Sequence, residues 1–291
     1  MTLRPVQQIV RPQPTVEGAG VHLIRSIGTR ELSNLDPFLL LDHFESSTRT
    51  EYEAGFPFHP HRGIETVTLL REGKVRHGDS LGHKGVIEGR DIQWMTSGSG
   101  ILHEEMPIVQ PEGINGLQLW LNLPAREKMT RPKYRDLRAN QIEERVTDDG
   151  AKIRVIAGEA DGGRSKGPVA GLSVDPKFID VLLGPGSLFL EHVEEGHTTF
   201  AYVDQGEITF ETEDRSWEVQ APALVVFAKG HGVRAKGTGR KGGRFLLAAA
   251  RPIGEPIARY GPFVMNSRQE IEQTLDELRT GRFIRDEALD V

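Results

Sequence analysis

Apolar residues in this chain come in short alternating runs, broken by glycine, proline or charged turns. Between Phe56 and Pro124 the pieces are FPFHPHRGIETVTLLR, KVRHGD, GVIEG, RDIQWMT, ILHEEMP and GLQLWLNLP, with Glu72-Gly73 and Glu88-Gly89 as turn signals. Short strands at this spacing predict a sandwich or jelly-roll barrel. After Pro124 the pattern changes: AREKMTRPKYRDLRANQIEERVTDDG is charged, carries Pro132 and lacks sustained alternation, which reads as a connection. A second series then follows in AKIRVIAGE, KFIDVLL, LFLEHV, HTTFAYVDQGEITFETE, SWEVQAPALVVFA and RFLLAAARP. The strand rhythm is used twice, so two related all-β halves are expected: residues 1–130, a connecting segment 131–150, and residues 151–291.

The end of the chain departs from this rhythm. In SRQEIEQTLDELRTG, Ser267 and Glu270 form a capping-box pattern, Ile271, Leu275 and Leu278 recur at helical spacing, and Gly281 is a stop signal. A C-terminal amphipathic helix packed on a barrel is expected, as the last element of the second half.

Composition narrows the chemistry. Hydrophobic residues make up 37% and charged residues 27% of the 291, which fits a folded chain and argues against general disorder. The net charge of −6 has the wrong sign for a protein held globally on nucleic acid or anionic lipid. No window approaches the ~18 apolar residues of a membrane span, and the start lacks the apolar core of a signal peptide, so a cytoplasmic protein is expected. There are no cysteines, which excludes disulfides, zinc-thiolate sites, iron–sulfur clusters and thiol nucleophiles. Any metal must be held by histidine and carboxylate.

His59-Pro60-His61 places two imidazoles at i and i+2, on one face of a strand, and the proline favours extended geometry before it. His103 and Glu105 repeat that spacing in GILHEEMP, about forty residues later, across strands and turns that can bring the two pairs together. Three histidines and one carboxylate can converge inside a barrel and leave two positions of an octahedral ion open. Such a set suits iron(II), and also manganese, nickel, cobalt or copper, better than closed structural zinc. Glu65 shares the parity of His59 and His61 and competes as a carboxylate ligand. His22, His43, His77 and His83 have no same-face partner at metal spacing and read as surface or hydrogen-bonded residues. The run Gly237 to Gly242 satisfies GxGxxG but precedes a strand, so it reads as a hairpin turn. Gln118, Trp120 and Asn122 alternate with leucines, which ordinary strand alternation accounts for and which also allows a pocket-lining role, while Phe56, Phe58 and Met106 can wall an aromatic ligand.

DPFLLLDHF, FPFHPHRGIETVTLL, DIQWMTSGSGILHEEMP and GLQLWLNLP, with GPFVMN near the end, resemble the pirin family of bicupins over nearly the whole chain. The resemblance implies two tandem cupin barrels with a C-terminal helix and one iron in the N-terminal barrel, on His59, His61, His103 and Glu105. It also implies a C-terminal barrel without a metal site; His192, His197 and His231 form no HxH pair there. The general cupin pattern would use Glu65, whereas pirins take the carboxylate at the position of Glu105.

Two functions follow from the resemblance. One is an iron-dependent dioxygenase of quercetin 2,3-dioxygenase type, opening a flavonol ring with O2 and releasing carbon monoxide, with Glu105 as the proton acceptor. The other is an iron redox-sensing regulator that binds a protein partner. The absence of a basic nuclear-type run favours the dioxygenase, with a flavonol and O2 as its small-molecule partners and no direct nucleic-acid or membrane binding.

Overall fold

The computed structural model describes residues 1–285, and its regular structure is mostly antiparallel strand. Two compact units form: one from Gln13–Ala139 with the residues from Ile253 onward, the other from Met1–Pro12 with Asn140–Pro252. The ends of the chain are therefore exchanged relative to the expected linear boundaries. Val6–Val10 pairs with Ala223–Phe227 and so belongs with the second barrel. The helix belongs with the first, because its Ile271 packs with Phe263, Met265 and Phe283 in a cluster that also takes in Leu102 and Met129.

The first unit is a two-sheet barrel. Its seven-stranded sheet runs Lys133–Leu137, Ile92–Thr96, Ile64–Glu72, Ile114–Asn122, Phe38–Ser46, Val21–Ile27, Gln13–Glu17, and its four-stranded sheet runs Phe56–His61, Ile101–Ile108, Lys74–Asp79, Lys84–Glu88. Leu23, Phe44, Leu70, Val75, Ile87 and Ile114 close part of the interior. Lys133–Leu137 lies within the segment expected to be a connection. It is an edge strand held by backbone pairing to Ile92–Thr96, with only Leu137 buried, so it carries no hydrophobic alternation to read.

The chain turns from one sheet to the other at Arg62-Gly63. Gly63 adopts φ +78°, and a Cβ there would lie 2.0 Å from the Val264 carbonyl oxygen, so only glycine fits. Lys128, 1% exposed, fills the same corner: its Nζ donates to the carbonyls of Gly63 (3.0 Å) and Val264 (2.9 Å) and to Asn122 Oδ1 (2.6 Å). Burial pushes its pKa down to about 8, which still leaves an ammonium at neutral pH.

The C-terminal helix spans Arg268–Arg279, and both halves of the Ser267/Glu270 capping box are formed. Its Glu277 accepts from Arg62 Nη2 at 2.8 Å, and Arg62 also donates to Thr274 Oγ1 (3.1 Å) and to the Ser99 carbonyl (2.7 Å). The helix is thus tied to the residue that follows His61.

In the second unit the interior is filled by apolar side chains, among them Phe189, Phe210, Phe227 and Phe245 in edge-to-face contact. His192 and His231 lie outside this core, and His197 sits beside Asp175. Among the described residues no helix is long and apolar enough to cross a membrane.

Candidate functional site

Phe56–His61 and Ile101–Ile108 are neighbouring antiparallel strands whose register sets His59 opposite His103 and Ile101 opposite His61. Strand alternation then aims all three imidazoles at one point. Their ring centroids lie 4.4 Å (His59–His103), 4.8 Å (His59–His61) and 5.0 Å (His61–His103) apart. One ligand atom from each falls within 4.8 Å of the others, so His59, His61 and His103 form a candidate metal site.

Three observations fit a metal to these residues. His59 Nδ1 lies 2.9 Å from the Pro57 carbonyl, to which its proton can be donated, leaving an Nε2 lone pair for the centre of the cluster. The Nε2 atoms of His59 and His61 are 3.0 Å apart, the separation expected for two nitrogens bound at right angles to one ion at about 2.1 Å each. His103 is wholly buried, and both of its ring nitrogens are without a hydrogen-bond partner among the described residues. An orphaned buried imidazole is costly unless something outside the protein uses its lone pair. Burial lowers the pKa of all three, most at His61 and His103 where neighbouring imidazoles add to it, so they are neutral imidazoles at ordinary pH, the form a metal requires.

Glu105 stands two residues beyond His103, but the strand pairing is irregular between them, and its carboxylate lies outside the three-histidine group. Its Oε1 accepts from Thr68 Oγ1 at 2.9 Å, and burial pushes its pKa up to about 7 against that bond. Glu65 is turned to other partners: it accepts from Trp94 Nε1 (3.0 Å) and Thr96 Oγ1 (2.8 Å). The shared parity of Glu65 with the histidines does not survive the corner at Arg62-Gly63, which moves the chain into the other sheet. There Thr68, of opposite parity, is the residue that meets Glu105.

His59, His61, Glu105 and Thr68 line one side of a cavity of about 840 Å³. Leu40, Phe44, Tyr52 and Phe56 supply apolar walls, within the size and character of small-molecule pockets. Gln118 and Trp120 face this cavity too, whereas Asn122 is committed to Lys128. Phe58 is 55% exposed and, like Met106, is not part of the lining.

His77 and His83 are not isolated. Gln93 Nε2 donates to His77 Nδ1 (2.6 Å), which leaves the His77 Nε2 proton for Asp79 Oδ2 (3.3 Å). His83 Nδ1 lies 3.0 Å from the same carboxylate oxygen. Tyr134 stacks on His77 at 4.2 Å, and the His77 ring is 5.6 Å from that of His103. The i, i+2 spacing of His77 and Asp79 was the sequence signal for this group. These side chains hold the wall against which His103 rests.

Residues 20–121 match the pirin family model and residues 178–284 match the model of the pirin C-terminal cupin domain. A pirin-like protein of Caulobacter vibrioides is 42% identical over 97% of this chain and 100% of its own length. Pirin of Homo sapiens is 39% identical over 91% of this chain and 89% of its own. Among solved structures, a quercetin 2,3-dioxygenase from Acinetobacter baumannii superposes with a TM-score of 0.85 at 32% identity, covering 97% of this chain and 98% of that one.

Proposed function

Because the chain belongs to the pirin family, we propose that it is a cytoplasmic iron(II)-dependent dioxygenase that opens a flavonol ring with O2 and releases carbon monoxide. His59, His61, His103 and Glu105 hold the metal in this reading. The observation that carries it is the convergence of three neutral imidazoles, of which His59 and His61 line a largely apolar cavity together with the Glu105 carboxylate while His103 lies buried behind them. The quercetin 2,3-dioxygenase named among the similar structures supports the choice of substrate class.

The bound metal would supply Lewis acidity toward substrate oxygens and a redox centre for O2. The chain's own groups do the rest. Among the described residues Glu105 is the one carboxylate beside the three imidazoles on this cavity and so the group to accept the proton of an enolic hydroxyl. The Thr68 hydroxyl fixes the carboxylate's orientation. Leu40, Phe44 and Phe56 keep water from the apolar part of the substrate.

Carbon monoxide release tests the activity: protein reconstituted anaerobically with one iron(II) is mixed with quercetin and oxygen, with His59→Ala as control. Release over many turnovers that is lost in the control is the expected result. Protein that holds iron yet releases none would replace this reading with that of an iron redox sensor.

The carboxylate assignment has its own test. Glu105→Gln is expected to weaken metal binding at least tenfold, while Glu65→Gln leaves the bound metal per chain unchanged, as read by elemental analysis after dialysis against a graded chelator. The opposite ranking would transfer the ligand role to Glu65.

A further inference from the structure

The cavity holds two permanent cations, and the structure treats them differently. Arg25 is spent: its Nε and Nη2 each donate at 2.7 Å to Asp42 in a bidentate pair, and its Nη1 lies 2.8 Å from Glu17. Arg259 lines the same cavity, and among the described residues no carboxylate comes within ion-pair distance of it. Its Nη1 donates to the Leu39 carbonyl (3.2 Å) and its Nε to the Gly261 carbonyl (3.4 Å), which leaves further N–H donors of the fork unspent. Partial desolvation and the neighbouring charge of Arg25 lower its pKa, while Asp42 and Glu17 act in the opposite sense from beyond ion-pair distance.

The position of Arg259 is set by Trp120. The guanidinium carbon lies 5.0 Å from the centre of the Trp120 ring, and the same indole meets His61 edge-on at 5.1 Å. A single aromatic side chain therefore separates the unspent cation from the histidine cluster. Asp42 and Glu17 are also at this end of the cavity, but Arg25 engages both, so Arg259 is the place where an added anion gains most.

We infer that Arg259 is a specificity-determining residue that selects an aromatic substrate carrying a carboxylate, seated along Trp120 with its oxygen donors toward His59, His61 and His103. The inference rests on the cavity being the substrate pocket, and it names the substrate class more narrowly than a neutral flavonol. Turnover of quercetin would then be a permissive use of the same pocket.

The test compares two probes of one shape, 3-(3,4-dihydroxyphenyl)propanoate and its primary amide, by anaerobic titration calorimetry on the iron(II)-loaded and the metal-free protein. The native protein is expected to bind the acid at least about tenfold more tightly than the amide at low salt, with the gap narrowing as salt is raised. Arg259→Gln is expected to abolish the gap while leaving amide affinity in place, and Arg259→Lys to restore part of it. A merely structural role for Arg259 would lower both affinities together. Equal affinities in the native protein, a gap that survives Arg259→Gln, or no binding of either probe at millimolar concentration would overturn the inference. Carbon monoxide release from quercetin is scored separately, so an intact acid preference without release would remove only the dioxygenase reading.

Discussion

His103→Ala is expected to yield a folded protein that no longer retains a divalent metal, with affinity lowered at least about 100-fold, since even groups behind a ligand are worth 10–100-fold. The side chain is fully buried, and neither ring nitrogen bonds to another described residue, so the metal-free fold loses little when it is removed. Deleting a buried polar group that has no partner also deletes its desolvation penalty, and this offsets much of the small cavity left behind. Thermal unfolding separates the two effects. Metal at 100 times its dissociation constant stabilises a protein by about 2.7 kcal/mol, so the native protein should gain several degrees with iron(II) under anaerobic conditions. The variant should start from nearly the same metal-free midpoint and gain nothing. If His103→Ala kept the metal stoichiometry and the thermal gain of the native protein, the three-histidine site would be wrong.

The second large effect is expected far from the solvent, at Lys128. Its ammonium is the common donor to two backbone carbonyls, Gly63 and Val264, and to the Asn122 side chain, and it is 1% exposed. Lys128→Met keeps the apolar stem but takes the buried donor away from three acceptors, of which the Gly63 carbonyl keeps only the long bond from the Leu123 N–H (3.4 Å). At about 1–3 kcal/mol for each unsatisfied buried group, with partial relaxation, the loss should be about 3–5 kcal/mol in urea unfolding. Because Gly63 follows the His61 strand and Val264 leads into the C-terminal helix, the variant should also protect the amides of both segments less in hydrogen exchange. A loss below about 1 kcal/mol would show that this corner does not hold the two segments together.

The elements that could be read from the sequence are those whose signal is local. The capping box at Ser267 and Glu270 forms as written, because N-cap chemistry acts within one helical turn. His59 and His61 share a face because strand alternation is a property of the backbone, and the spacing of His103 from Glu105 needs the same reasoning. Where the chain bends, the reasoning stops. Glu65 keeps the parity of the histidines on paper, yet the left-handed Gly63 resets the alternation and sends it to Trp94 and Thr96. Lys133–Leu137 could not be seen as a strand because an edge strand is recognised by its neighbour's hydrogen bonds and needs no apolar face.

By itself the sequence determined the all-β class, the two barrels, the closing helix and the three imidazoles, since each depends on periodicity or on residue chemistry within a few positions. Its resemblance to pirins added the family, which the comparisons bear out. Only the tertiary structure decided which barrel each end of the chain joins, that Trp120 and Gln118 face a cavity, and that Arg25 is paired where Arg259 is not. Those facts are set by contacts between residues far apart in the chain, such as Arg62 with Glu277 and Trp120 with Arg259. No local pattern encodes them, because burial and charge compensation depend on what arrives from elsewhere when the sheets close.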